Sequence, residues 1–329
     1  MSPRRSRGIG RIVARRAVVA LPLLVLVLLG MFVLGKASPF DPVRQYAGER
    51  AFTTSKENLD EIRRSWGLDR PAHEQFLAWA SNLARGDLGP SRSQHRPVTQ
   101  VISERVGWSL LLVVPALGLL LVGSLVVGTL AAVLRGGVVD RVVTGAAYVL
   151  AAAPIFWLAL GVLWLFAVRL GWLPAAGVSD VAAAGRTPTD VLMHLVLPVA
   201  VLAVSQSSWF VLFVRETVLG TLREDFVTAA RARGLAERTV VSRHALRSAL
   251  LPWITLVGTH VPELITGSIL VETVFSWPGL GATAVEAGLA FDFPLLAAIT
   301  VLGTLAVVGG NLLADLAYAV ADPRVALDG

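Results

Sequence analysis

The sequence predicts an all-α integral membrane protein with six transmembrane helices, a helical extracytoplasmic loop and a further helix on the cytoplasmic side. Three observations predict it. Hydrophobic residues make up 55% of the 329 and charged residues only 16%, against roughly 25% charged in soluble domains. A soluble core cannot hide that much apolar surface. Six apolar runs reach the length of about 20 residues that a hydrocarbon core requires. The arginines behind the net charge of +6 stand before and between these runs, so the charge orients a membrane chain and does not mark a nucleic-acid partner. Cysteine is absent, which removes disulfides, thiolate chemistry and Cys-based metal sites.

The first span is expected at residues 13–35. Arg4, Arg5, Arg7, Arg11, Arg15 and Arg16 lead into it without an acidic residue, which makes residues 1–12 a cytoplasmic tail. The apolar stretch is too long for a signal peptide and no small-x-small cleavage site follows, so it reads as an uncleaved anchor. Residues 36–107 form an extracytoplasmic loop with helical patterning. Thr54-x-x-Glu57 is a capping box ahead of Leu59, Ile62 and Trp66. Phe76, Leu77, Ala80, Leu83 and Ala84 share one face of a second helix, and Pro97 opens a third with Val98, Val101 and Ile102 on its apolar side. Residues 108–320 hold the other spans, at 108–134, 142–168, 192–214, 252–275 and 295–320. The basic segments 135–141 and 215–251 fall on the N-terminal side of the membrane. The connection bearing Glu286 and Asp292, with no basic residue, falls outside. An even number of spans returns the tail 321–329 to the cytoplasm.

Segment 223–251 is the most informative hydrophilic stretch. Glu224 and Asp225 in a first turn, small residues behind them and Gly234 at the end describe a short helix with a glycine stop. Ala229 and Ala230 leave a shallow surface that another protein can approach, and Arg231 and Arg233 offer charge-assisted contacts at its rim. A solvated amphipathic connector is the plainer alternative.

Thr228, Ala229, Ala230 and Gly234, closed by Leu251-Pro252, resemble the cytoplasmic loop of binding-protein-dependent ABC importer permeases, whose pattern is Glu-Ala-Ala, three residues, then Gly. Threonine in place of glutamate and His244-Ala-Leu-Arg247 in place of Ile-x-Leu-Pro look like the dipeptide/oligopeptide/nickel branch. Trp66-Gly-Leu-Asp-Arg-Pro71, Arg85-Gly-Asp-Leu-Gly89, Gly171-Trp-Leu-Pro-Ala-Ala-Gly177, Val271-Glu-Thr-Val-Phe-Ser-Trp-Pro-Gly-Leu-Gly281 and Asn311-Leu-Leu-Ala-Asp315 through Asp322-Pro-Arg324 are similar to that branch in the same order. The resemblance implies a bacterial inner-membrane permease subunit whose segment 223–251 carries a coupling helix. It implies a second, homologous permease as heterodimer partner, two ATP-binding-cassette ATPase subunits that bind ATP and Mg, and an extracytoplasmic substrate-binding protein. No cofactor, metal or catalytic residue is expected in this chain. Peptides are the substrate class implied, with nickel, a metal chelate or another small solute as alternatives. Trp172 and Trp277 suit interface anchoring without any family knowledge.

Polar residues inside the spans mark the candidate pathway. Glu263 falls near the middle of the fifth span, where a charge costs about 2.5–3.5 kcal/mol on insertion scales. Thr255, Thr259, Glu263 and Thr266 share a helix face, His260 flanks it, and Pro262 removes an amide from the ladder. This stripe either lines a wet pathway or holds a neutral carboxyl between packed helices. Ser205-Gln206-Ser207-Ser208 and Trp209 are a second candidate lining or, equally, an interhelical contact. Asn311, Asp315 and His194 read as structural. Functions of other classes are disfavoured: His260-x-x-Glu263 lacks the second histidine of a zinc protease helix, no phosphate loop for ATP is present, and no inverted repeat of a secondary transporter is visible.

Overall fold

The computed structural model describes residues 3–38, 41, 43, 55–179 and 187–321. Among them the chain is helical, and the single extended pairing is a bridge between Pro90 and Pro97. The α-helices of eight residues or more are α1 (Pro3–Ala37), α2 (Lys56–Ser65), α3 (Ala72–Ala84), α4 (Val98–Val133), α5 (Val138–Ala152), α6 (Ile155–Leu163), α7 (Pro188–Thr221), α8 (Asp225–Ala232), α9 (Leu246–Val274), α10 (Leu280–Leu289) and α11 (Phe293–Ala321). Five of them, α1, α4, α7, α9 and α11, are long and apolar enough to cross a membrane.

The third expected span, 142–168, is broken. Helices α5 and α6, the latter continued by a π-helical turn at Trp164–Arg169, meet at 110°. Ala153 is extended (φ −82°, ψ 126°) because the ring of Pro154 disfavours the helical region for the residue before it. Pro115, Pro198, Pro252 and Pro262 nevertheless lie inside helices that continue. At Pro154 the restart is seated on a neighbour: a Cβ on Gly267 of α9 would stand 3.3 Å from the Ile155 side chain and 3.2 Å from that of Leu202. The bent pair keeps contact with its neighbours along its length. Asp140 at its start meets Arg215 near the end of α7, Ile155 meets the middle of α9, and Gly177 beyond it donates its amide to Phe275 O (2.9 Å) at the end of α9.

The chain divides into two compact units. The first comprises Met1–Arg16, Trp108–Pro278 and Val307–Gly329. Here α7 packs against α5, α6 and α9, and its core contains Leu112, Leu202, Phe210, Val271, Phe275 and Trp277. Lipid tails are as apolar as leucine, so burial of apolar surface does not drive helices together; close approach does. A Cβ on Gly258 would stand 2.6 Å from that of Ala314, one on Gly310 would stand 2.7 Å from Val261, and one on Gly128 would stand 2.8 Å from Val214. These glycines let α9 meet α11 and α4 meet α7 at backbone distance. Arg16 pairs with Asp315 at 2.6 Å, which fastens the start of the apolar part of α1 to the last turns of α11.

The second unit comprises Ala17–Gly107 and Gly279–Ala306. Thr54 of the expected capping box lies outside the described residues; the cap of α2 is Ser55, whose hydroxyl accepts from the Asn58 amide. On α3 the inward residues are Phe76 and Trp79, which stack with Phe32 of α1. Leu77 is 63% exposed, a correction to its expected place on that face. Pro97 does not open a separate short helix: Val98, Val101 and Ile102 belong to the first turns of α4, a 36-residue helix that also contains the second span. Val98 and Val101 pack with Ala287, Leu295, Ala298 and Ile299 of α10 and α11. Asp292, fully buried ahead of α11, accepts hydrogen bonds from Ser91 Oγ (2.5 Å), Ser93 Oγ (2.7 Å) and the Ser93 amide (2.9 Å).

Candidate functional site

Helix α8 begins after Glu224, whose extended backbone caps it without a side-chain bond, and Asp225 supplies the acidic first turn. Its end is a Schellman motif. Gly234 adopts φ +78°, its amide donates to Arg231 O (2.9 Å), and the Leu235 amide donates to Ala230 O (3.3 Å). Val227 and Ala230 face inward and pack with Val240. Ala230 is therefore buried in this chain, a correction to its expected place on the shallow outer surface; Glu224, Asp225, Thr228, Ala229, Arg231, Arg233 and Gly234 are exposed. Helical periodicity shows that 227 and 230 share a face but not that this face is covered. Arg231 is also committed. It grips Glu237 across the glycine turn (Nη2 to Oε1 2.6 Å, Nε to Oε2 3.1 Å), and this bond holds the Glu237 carboxyl below its ordinary pKa. Arg233 remains as the rim cation.

Beside α8 lies an open cavity of about 460 Å3 floored by the exposed Phe226 and Leu235 and rimmed by Arg243, His244 and Arg247. Sequence reading missed it. The signal was Phe226: next to Val227 on a short helix, one of the two large apolar side chains must point away from the other's contacts.

The route from α8 into the bundle passes the end of α7. There Arg215 holds Asp140 through two bonds (2.5 and 2.9 Å), the Gly136 amide donates to the same carboxylate (2.9 Å), and both side chains are largely buried. Removing one partner of such a pair strands a charge and is costly, even where the intact pair adds little. The first turn of α5 and the end of α7 are thus tied.

The second candidate is the polar stripe of α9. Thr255, Thr259, Glu263 and Thr266 lie on its exposed face. Thr259 Oγ1 donates to Leu256 O (2.9 Å) and Thr266 Oγ1 to Pro262 O (3.0 Å), so both hydroxyls are satisfied within the helix. Glu263 pairs with His260, whose ring lies 5.3 Å from that of Phe210; 55% of the Glu263 side chain remains exposed. The carboxyl is therefore not enclosed between helices of this chain. Left against lipid it would carry the cost of a midplane charge, so this face calls for cover by water or by another protein. Gln206 is half-buried, with Nε2 3.1 Å from where a Gly267 Cβ would stand, and Trp209 is 64% exposed.

One residue departs from its sequence reading. Trp277 is not at an interface: it is fully buried, donates Nε1–H to Trp108 O (2.8 Å) and crosses the Trp108 ring edge-on. Glu272, in the same motif, is buried and accepts from Ser109 Oγ (2.7 Å). His194 is buried with Nδ1 2.7 Å from Asp190 O.

Residues 124–327 match the family described as binding-protein-dependent transport system inner membrane component, and residues 9–112 match the N-terminal family of such membrane components. The chain is 35% identical over 314 residues to the oligopeptide transport system permease protein AppB of Bacillus subtilis, covering 95% of this chain and 98% of that one. It is 33% identical over 311 residues to the glutathione transport system permease protein GsiC of Pectobacterium atrosepticum, covering 94% and 97%.

Proposed function

The chain belongs to the family of binding-protein-dependent transport system inner membrane components, and on that premise we propose how its parts divide the work of a peptide importer. It is the permease subunit of an ATP-binding-cassette importer. Peptides are its substrate class, a reading supported by relatives named for oligopeptides and glutathione. Helix α8 is the coupling helix, offering Thr228, Ala229 and Arg233 to a groove of an ATPase subunit. The neighbouring cavity with Phe226 and Leu235 takes an apolar side chain of that partner. Two such ATPases bind ATP and Mg and hydrolyse the nucleotide. A second, homologous permease covers the α9 stripe and completes the pathway, and an extracytoplasmic binding protein delivers substrate. Both termini lie in the cytoplasm, as the arginines ahead of the first span favour.

The observation that carries this reading is the solvent-facing edge of α8 ending in a full Schellman turn. Since the chain has no cysteine, one introduced thiol tests it. Ala229→Cys is expected to be captured by a co-expressed ATPase through a bifunctional thiol-to-amine cross-linker and to resist an impermeant maleimide applied to intact cells. Arg85→Cys, in the exposed segment after α3, is expected to react. Labelling of Ala229→Cys from outside would overturn both the orientation and the coupling role.

A further inference from the structure

The second unit contains a pocket of about 680 Å3 where α1 ends and α11 begins. Met31 and Gly35 of α1 and Pro294 and Ala297 of α11 form its apolar side. These residues belong to two membrane-length helices, so the pocket opens at the depth where hydrocarbon gives way to water. Trp66 and Trp79, a residue type favoured at that depth, line it as well.

Its charge is unbalanced. Lys36, Arg63, Arg70 and Arg92 line the pocket against the carboxylates of Asp41 and Asp87. Arg63 is spent on Asp41, and Asp87 accepts from the Gly89 amide (3.0 Å). Among the described residues Lys36, Arg70 and Arg92 have no carboxylate at ion-pair distance. Arg92 feels Asp292 and Asp41 only at longer range, and Asp292 is already engaged by Ser91 and Ser93. Burial lowers the pKa of Arg92, a cation held in a partly dry wall. Lys36 lies 5.9 Å over the Phe32 ring, and the Arg70 stem folds over Gly67.

We propose that this pocket holds the headgroup of an anionic phospholipid, its phosphate on Arg70, Arg92 and Lys36. Guanidinium groups match phosphate oxygens bidentately, and the lysine adds a point charge. The acyl chains lie along α1, whose apolar span is unburied and exposes Leu21, Val25 and Leu29 on the helix face that carries Phe32 and Lys36. A lipid fits this position better than a soluble anion, because the cations and the exposed apolar helix are contiguous.

Native mass spectrometry of the full chain in neutral detergent tests this with phosphatidylglycerol and phosphatidylcholine added in equal amounts. The parent is expected to retain phosphatidylglycerol preferentially. Joint replacement of Lys36, Arg70 and Arg92 by Gln weakens that retention by roughly fivefold per cation removed. Replacing Lys56, Arg64 and Arg85 by Gln removes the same charge outside the pocket and leaves retention unchanged. Arg70→Gln alone, on an exposed side chain, repeats the test with little risk to folding. Equal retention by the parent and the pocket variants, or no preference over phosphatidylcholine, overturns the site. Inorganic phosphate that occupies it and is not displaced by phosphatidylglycerol assigns the site to free phosphate and overturns the lipid.

Discussion

Asp292 illustrates how much one side chain can do without announcing itself. Burial pushes its carboxyl up, but the hydroxyls of Ser91 and Ser93 and the amides of Arg92 and Ser93 outweigh that and hold its pKa below the ordinary aspartate value. A carboxylate whose pKa falls on folding adds stability that is complete above the unfolded value, near 3.9. That stability is lost as pH drops through the lower, folded value. Amide exchange at Ser93 and Leu295, corrected for intrinsic rate, is therefore expected to be slow at neutral pH and to accelerate below about pH 4. Asp292→Asn, which cannot accept all of these donors, speeds the same amides at neutral pH by the equivalent of about 1–3 kcal/mol. Exchange that is indifferent to both changes would remove the carboxylate from the packing of this unit. In the sequence Asp292 is visible only as an outside charge. Its partners lie 199 and 201 residues away, beyond the reach of any local pattern.

At the scale of elements, signals tied to backbone chemistry were legible and signals tied to facing partners were not. Gly234 marks the end of α8 because only a residue tolerant of positive φ closes that turn. Which side of α8 is covered depends on Val240, in the segment beyond the turn. Pro154 could be read as a breaker, but so could Pro198 and Pro262, which lie within continuous helices. The packing of Ile155 against α9, not the proline alone, fixes the break. The glycine also yields a separable prediction. No atom lies within 4 Å of a Cβ placed on Gly234, so a side chain there meets a conformational cost of about 1–2 kcal/mol and no clash. Gly234→Val is expected to weaken ATPase association or to leave ATP hydrolysis uncoupled from transport in reconstituted complex. Gly234→Asn, which tolerates the left-handed region, stays close to the parent. Equal damage from both would show that bulk, not backbone, matters at this position.

Across the whole molecule the apolar helices, their order and the glycine-ended helix α8 follow from composition, patterning and motif order, whereas the surface left for partners does not. The α9 stripe was legible as a polar face; that it is outward and that Glu263 pairs with His260 required the packed helices around it. Replacing the carboxylate by an amide separates its two possible uses. A pathway carboxylate meets the cationic part of a substrate such as a peptide amine, and hydrogen bonds to charged groups contribute about 1.5–3 kcal/mol. Glu263→Gln is then expected to reduce uptake of free-amine peptides by roughly tenfold or more, with assembly and basal ATP hydrolysis near the parent's. If instead the second permease encloses a neutral Glu263, the amide preserves its hydrogen bonds and Glu263→Gln is nearly silent. Glu263→Leu then leaves the partner's polar groups unpaired and impairs assembly. Transport and subunit recovery, measured on both variants in proteoliposomes, decide between them. A silent Gln variant beside a poorly assembling Leu variant moves Glu263 from the pathway to the interface between permeases.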